Sequence, residues 1–406
     1  MSFNHIAVPR GQLSTYFLTF SAFILGFALP TSIALTNMAY GLVILSLLIN
    51  RDFSYVKALA KRPLFYLPVL MFLLMAVSLL YADNEFGKAM LSKYKKLLYI
   101  FPLALFFLQD RKLALTTLQG FVAANVIILF LSVIAWFNLF SVFNIDPGNP
   151  TVFHLHITQN FFMAIACLVW LVMIFKTTGV KRIAFTVLLL VGVCNILFMV
   201  QGRIGYVAVL VGLGIWLWMV LNNKQRVALI VCGLVGMLIL VAVPNKVKDR
   251  MMLGVDEIER CVGVLDLNMA TPPQCHSSMG LRTEFAYRAL KLIKSSPIVG
   301  VGVGGFDYFS DDKVYHHVNP HNEYLMQTLQ SGVIGLAVFL FWIFFMYRAA
   351  LRLPGIEKPF FVAIITTYVA GCIFNSFVLD AYEGQLFMLF VAYLAAEMAR
   401  REKPQS

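Results

Sequence analysis

Long apolar runs separated by short polar segments cover most of the chain. About twelve stand out: 14–30, 33–49, 64–81, 91–108, 114–141, 157–175, 183–201, 205–221, 227–243, 325–347, 359–379 and 385–399. Most are about 17–25 residues long, the length of a bilayer-crossing helix, and lack the ~10-residue alternation of an outer-membrane barrel strand. The pattern predicts an all-α polytopic membrane protein of about twelve transmembrane helices. The first run is followed at once by a second, so it reads as a retained span and not as a cleavable signal peptide. The long interval between the ninth and tenth runs divides the chain. Residues 1–243 carry spans one to nine, 244–324 form a polar region containing helices, and 325–406 carry the last three spans and a tail.

Composition agrees. The chain has 406 residues, 60% hydrophobic and only 13% charged, against about 25% charged in a soluble domain. The net charge of +12 does not point to nucleic acid, because much of it lies in short loops. Segments 50–63, 109–112, 176–182, 222–226, 348–358 and the tail are basic and fall on one face when spans alternate. The positive-inside rule makes that face cytoplasmic, with both termini on it. The opposite, extracytoplasmic face then holds 82–90, 142–156, 202–204, the long segment 244–324 and 380–384. Loops of that length are usually functional or separately folded. Cys261 and Cys275 lie in it, where an oxidising compartment allows a bridge between them or two free thiols. Cys167, Cys194, Cys232 and Cys372 fall within apolar runs and read as small core residues. No internal repeat of the kind seen in many transporters is visible.

Candidate chemistry gathers on the outer face. The stretch "SSMGLRTEFAYRALKLIKSSP" (277–297) predicts a helix with Ser278 as N-cap, ended by Ser-Ser-Pro. At 100° per residue, Leu281, Phe285, Ala286, Ala289, Leu290, Leu292 and Ile293 fall within about 100° of Arg282. Glu284, Tyr287, Arg288, Lys291 and Lys294 fall opposite. Arg282 is thus central on an apolar face, where an unpaired charge costs several kcal/mol. It either pairs with an acid or faces a cavity that receives an anion. Arg203, in "VQGRIGYV" (200–207), sits in a tight turn with glycines on both sides. It reads as a snorkelling interfacial arginine or as a second anion clamp.

"LSKYKKLLY" (91–99) places Lys93, Lys95 and Lys96 at the outer end of span four, against the positive-inside bias; contact with anionic headgroups is one reading. "PIVGVGVGGFDYF" (297–309) superficially resembles a dinucleotide loop but lacks the strand–loop–helix context, so it reads as a flexible glycine connection. In "VNPHNEYLMQ", Asn319 is a candidate N-cap and Pro320 a first helical residue, with His321 in the first turn. A helix N-terminus disfavours imidazolium, so a neutral His321 is expected, able to act as a general base. The other reading is an interfacial histidine bonded to a loop. Glu323 is a candidate to orient His321 or pair with an arginine, and Asp380 and Glu383, on the same face, are further candidates for such pairing. His154, His156, His316 and His317 share the outer face, but their spacing with carboxylates does not suit a metal.

The arginine in "QGRIGY", the arginine-bearing "GLRTEFAYRAL", "SPIVGVGVGGF" and "PHNEYLMQTLQSGVIGL" together resemble the O-antigen ligase and polymerase superfamily of bacterial envelope glycosyltransferases. The local likeness covers roughly residues 200–340; the span layout fits over the whole chain. It implies a GT-C-like membrane glycosyltransferase of the inner membrane with a periplasmic site. In a ligase of this kind a glycan leaves undecaprenyl pyrophosphate and joins a sugar of lipid A–core, with inversion and without metal, nucleotide sugar or other cofactor. The resemblance maps pyrophosphate-binding roles to Arg203 and Arg282 and the catalytic role to His321. Asn322, Glu323, Tyr324, Arg288, Lys93 and Lys96 are supporting candidates. Expected partners are the lipid-linked O-antigen, lipid A–core and membrane lipids, with no nucleic acid. An O-antigen polymerase and a protein O-oligosaccharyltransferase remain open within the superfamily. A transporter or flippase remains open outside it, but the notable charges gather at one face and not at mid-span.

Overall fold

A computed structural model describes residues 12–50, 53, 55–82, 85–139, 145–244, 246–265, 272–306, 308–309 and 316–401. Among these the chain is essentially all helix. The first half runs α1 (Gln12–Ala28), α2 (Ile33–Asn50), α3 (Val56–Ala60), α4 (Pro63–Ser78), α5 (Gly87–Lys93), α6 (Ile100–Gln109), α7 (Lys112–Trp136) and α8 (His156–Lys176). Then come α9 (Gly179–Cys194), α10 (Arg203–Val220), α11 (Asn223–Ala242), α12 (Lys246–Val262), α13 (Ser278–Ser295), α14 (Glu323–Ala350), α15 (Glu357–Gly371) and α16 (Ala381–Arg401). A two-residue antiparallel pair, β1 (Tyr308–Phe309) with β2 (His316–His317), is the sole strand structure among the described residues. The side chains of His316 and His317 lie outside the described residues.

Among the described residues, six helices are long and apolar enough to cross a membrane: Ile33–Asn50, Lys112–Trp136, His156–Lys176, Gly179–Met199, Arg203–Val220 and Glu323–Ala350. Two shorter apolar helices, Ser14–Ala28 and Pro63–Ser78, accompany them. The chain is a multi-pass membrane protein. Its interior is built around α8 and α16, whose apolar residues are buried nearly all round, among them Phe161, Phe162, Trp170, Phe387 and Leu394. A helix apolar on every side belongs in such an interior. By contrast α9 and α11 expose Ile183, Leu190, Leu234 and Leu238, as a lipid-facing surface does. Local sequence sets the helix ends: Pro63 opens α4, and Asn222 with Gln225 forms a capping box for α11.

Helix occupies every expected span, with three corrections. The fourth run is broken into α5, a 3-10 turn (Tyr94–Tyr99) and the ten-residue α6. The tenth, α14, is interrupted at Ser331 (φ −138°, ψ 18°) and Gly332 (φ 62°, ψ −160°). The eleventh ends at Gly371, and 372–380 form a largely buried turn, not helix, that carries Asn375, Ser376 and Asp380.

The break in α14 is a docking point. The glycine-rich segment after α13 lies in it: Val301 N donates to Leu329 O (2.8 Å) and Val333 N to Pro297 O (2.9 Å). A Cβ on Gly332 would stand 2.0 Å from Ile298 O, and its positive φ is one that L side chains rarely adopt. On its other side the segment meets α4, with Val303 N bonded to Ser78 Oγ (2.8 Å) and Tyr81 Oη to Val299 O (2.8 Å). The expected flexible connection is therefore a wedge fixed between two helices.

Candidate functional site

The candidate residues lie on α10, α12 and α13 and on the described segments 145–155, 316–322 and 372–380. On α12, Arg250, Gly254, Glu257 and Cys261 recur at helical spacing and share one face. Cys261 is joined to Cys275 by a disulfide, which ties the end of α12 to the start of α13. The N-cap of α13 is Ser277, not Ser278, its side chain accepting from Gly280 N (3.1 Å). α13 packs through Phe285 and Ala289 against Phe306 and Leu329. Glu284, expected on the polar side, is buried and paired with Arg288 (2.7 Å). Arg288 is thus engaged in its own helix and does not face the cavity.

Arg203 is the first residue of α10. Its Nε donates to Arg250 O (3.0 Å), and its Nη2 stands 3.6 Å from Glu257 Oε2. A Cβ on Gly254 would approach its guanidinium to 3.1 Å, so the absence of a side chain there lets the group lie against α12. Glu257 also accepts from Met279 N at 3.1 Å. Gly202 permits the other close approach, since a Cβ would come within 2.8 Å of Asn160 Nδ2. The result is a cavity of about 170 Å³ lined by Arg203, Arg250, Arg282, His156, Gln201 and Glu257, among others.

Arg282 makes no ion pair among the described residues; its Nη1 lies 3.8 Å from Met279 Sδ. Burial, then the Arg203 charge beside it, lowers its guanidinium from the ordinary range, with Glu257 opposing. Like charges held together with a single carboxylate form a preorganised site for an anion. Two of its members were not foreseen. Arg250 lies in α12, which was not read as a helix, although the Arg250–Gly254–Glu257–Cys261 spacing was visible. His156 was noted only as an outer-face histidine.

His321 lies outside α14. The helix begins at Glu323 with Asn322 as its N-cap, accepting from Leu325 N (3.0 Å). Asn319 is therefore no cap: its Oδ1 accepts His321 N (2.8 Å) and Ser376 Oγ (2.7 Å), a local turn before the helix. His321 has φ 53°, a left-handed conformation costing of order 1 kcal/mol or more and often found at functional positions. The expectation of a neutral imidazole in a first helical turn loses its basis, because the ring precedes the turn. Its orientation comes from elsewhere. His321 Nδ1 is 2.8 Å from Asn375 Oδ1, and Asn375 Nδ2 donates to Asp380 Oδ2 at 2.5 Å. With the amide nitrogen directed at the carboxyl, the amide oxygen faces the ring and accepts Nδ1–H. The basic lone pair then lies on Nε2. The ring stacks on Phe285 (6.1 Å between centroids), one turn along α13 from Arg282.

Most of the remaining candidates bond within the surrounding fold. Glu323 is fully buried and accepts from Gln327 Nε2 (2.6 Å) and Val378 N (2.8 Å), so it anchors the 372–380 turn and neither orients His321 nor meets an arginine. Asn322 Nδ2 donates to Ile373 O (2.9 Å) and Tyr324 Oη to Val369 O (2.9 Å). Lys96 is buried, its Nζ donating to Leu379 O (2.5 Å) and Asp380 O (2.6 Å). Lys93 lines a separate cavity with it. Of the carboxyl candidates, Asp380 reaches His321 through Asn375, while Glu383 is buried and makes no arginine pair among the described residues. His154 packs against Tyr382 with its ring tilted 42° (4.0 Å between centroids), and burial lowers its affinity for a proton. A larger cavity, about 560 Å³, sits at the opposite end among Phe107, Leu118, Phe361, Phe390 and Tyr393. Its lining is mostly apolar but also includes Asp110, Arg111, Lys112, Lys176 and Glu357, of which Arg111 and Glu357 are paired with each other.

Residues 188–340 match the family model described as O-antigen ligase. This segment holds Arg203, Arg250, Arg282 and His321, and the match supports membership of that superfamily. No curated protein matches the chain significantly.

Proposed function

We propose, for this member of the O-antigen ligase superfamily, that it transfers a glycan from a lipid pyrophosphate carrier to a hydroxyl of lipid A–core at the periplasmic face of the inner membrane. In this reading all twelve apolar segments reside in the bilayer, the basic loops are cytoplasmic, and the architecture is GT-C-like. The observation that carries it is the cavity lined by Arg203, Arg250 and Arg282 with a single carboxylate, Glu257, which only Arg203 approaches within ion-pair distance.

The chemistry follows from charge. The bond between the sugar's anomeric carbon and the pyrophosphate oxygen breaks, and the leaving group keeps the electron pair. Cations fixed at that oxygen stabilise the transition state more than the ground state. Arg203 and Arg282 hold the pyrophosphate, and Arg250 adds charge from α12. His321 Nε2 takes the proton of the acceptor hydroxyl as its oxygen bonds to the anomeric carbon from the opposite side, so the centre inverts. Asn375 and Asp380 keep the proton on Nδ1 so that Nε2 remains basic.

The test is a lipopolysaccharide gel from a deletion strain complemented with wild type or His321→Ala. The expected outcome is bare core with long glycan held on the carrier, and a ladder restored only by wild type. Core capped with single repeat units would instead identify a polymerase. An unchanged ladder in the deletion strain would sink the transferase assignment.

A further inference from the structure

A second cation-lined cavity, about 370 Å³, shares no lining residue with the first. Lys93, Lys95, Lys96, Asn319 and Asp380 line it. Lys96 is committed to the carbonyls of Leu379 and Asp380. Lys93 and Lys95 are exposed at its mouth and make no ion pair among the described residues. Burial, with the Glu383 carboxyl next in effect, pushes the Asp380 carboxyl well above the ordinary carboxylate range. Even with that carboxyl ionised, three lysines face a single acid, and the cavity is cationic in balance.

Both cavities lead to one residue. The arginine cavity is tied to His321 through α13, by the stacking of Phe285. The lysine cavity is tied to it through Asn319, which accepts the His321 backbone N–H, and through Asp380, which holds Asn375. A transfer with one base and two substrates requires a place for each on either side of the base. The arginines, as planar forks with several donors, suit the fixed geometry of a pyrophosphate. Lysines are point charges on flexible stems and tolerate an anion whose position varies.

We infer that the cavity of Lys93, Lys95 and Lys96 is the acceptor subsite and holds a phosphate-type anion carried by the acceptor glycolipid. This rests on the transferase reading above. It adds a substrate requirement: the acceptor is recognised by its negative charge as well as by its hydroxyl. A phospholipid headgroup offers the same chemistry, so the test separates the two sources.

The full-length protein is placed in phosphatidylcholine nanodiscs and titrated, without donor, with a diphosphorylated disaccharide glycolipid and with the same lipid after phosphatase treatment. Wild type should bind the phosphorylated form at least about tenfold more tightly, equivalent to about 1.4 kcal/mol. The double variant Lys93→Gln/Lys95→Gln should lose most of that preference at unchanged melting temperature, and Lys93→Arg/Lys95→Arg should retain it. Equal binding of the two glycolipids by wild type overturns the inference, as does a preference that survives the glutamine variant. Phosphatidylglycerol competing mole for mole assigns the cavity to membrane headgroups and overturns the acceptor role. Because no turnover is read, failure of the transferase reading shows separately: wild type that binds the lipid but transfers nothing from a lipid pyrophosphate donor refutes that reading and leaves the phosphate preference in place.

Discussion

The two ends of the helix bundle treat arginine in opposite ways. At the basic end, Arg111 meets Glu357 (3.0 Å) and Glu397 (3.3 Å), and Arg400 and Arg401 meet the same Glu397 (3.3 and 3.1 Å). Arg400 also donates to Phe107 O and Arg401 to Arg352 O (2.8 Å). At the other end, Arg203, Arg250 and Arg282 line one cavity with Glu257, and only Arg203 approaches that carboxylate, at 3.6 Å. Each place gathers three arginines, but only the first set is neutralised by two carboxylates at 3.0–3.3 Å; in the second, Arg203 and Arg250 bond to neutral partners, the Arg250 carbonyl and the Gln201 amide. Arginines neutralised by carboxylates hold helices together. Arginines brought together without that neutralisation raise the free energy of the empty site and lower it again when an anion enters.

That contrast can be broken by substitution. Arg282→Gln should lower transfer about 10²–10³-fold, the cost of deleting one preformed donor to developing negative charge. Its melting temperature should not fall, because a like-charge contact with Arg203 is relieved. A destabilised, fully active variant would place Arg282 in the structural class with Arg111. Asn375→Ala should reduce transfer on the order of tenfold to a hundredfold with little change in donor affinity, since it frees the imidazole to exchange tautomers. Rescue by Asn375→Gln at raised pH would point to a role in proton affinity, not orientation.

Two smaller effects sharpen the comparison. Replacing Cys261 and Cys275 by Ser should cost about 3 kcal/mol in the α12–α13 region, the value for closing a loop of about 15 residues. Limited proteolysis between the two cysteines reads this; unchanged protection would mean that packing alone holds α12 in place. Glu397→Gln should lower stability by roughly 1–2 kcal/mol, because it serves three partly exposed arginines. Transfer per folded molecule should stay within about twofold. A loss of activity larger than the loss of folded protein would show that the ends communicate.

Much of this was legible in the sequence, for reasons that are local. Apolar length marks where helix forms, and a charge such as Arg282 on an apolar face stands out because burial makes it costly. The arginine cavity's second layer was not legible. Gly254 and Arg250 matter only because α10 brings Arg203 against α12, a contact between distant parts of the chain. Asn375 was absorbed into the apolar run 359–379, although "FNSF" places two polar residues inside it; helix stops at Gly371 and the turn 372–380 is held by Glu323 and Lys96 instead. His321 was placed one turn too far into α14 because Asn-Pro is a sound helix-start signal, and here the Asn319 side chain closes a turn ahead of the helix.

The tie of Lys96 to the carbonyl of Asp380 spans 284 residues. At about 5–20 residues per second of synthesis, roughly 15–60 s separate the lysine from its partner. Throughout that interval an ammonium later enclosed by protein must stay in contact with water or headgroups, so the outer half of the broken fourth segment cannot settle before α15 and the turn after it have emerged. The histidine waits on the same turn, because Asn375 comes 54 residues after it. Completion of the site is thus deferred to the last stage of biogenesis, and a chain truncated before residue 380 would reach the membrane with its arginines in place and its base unset.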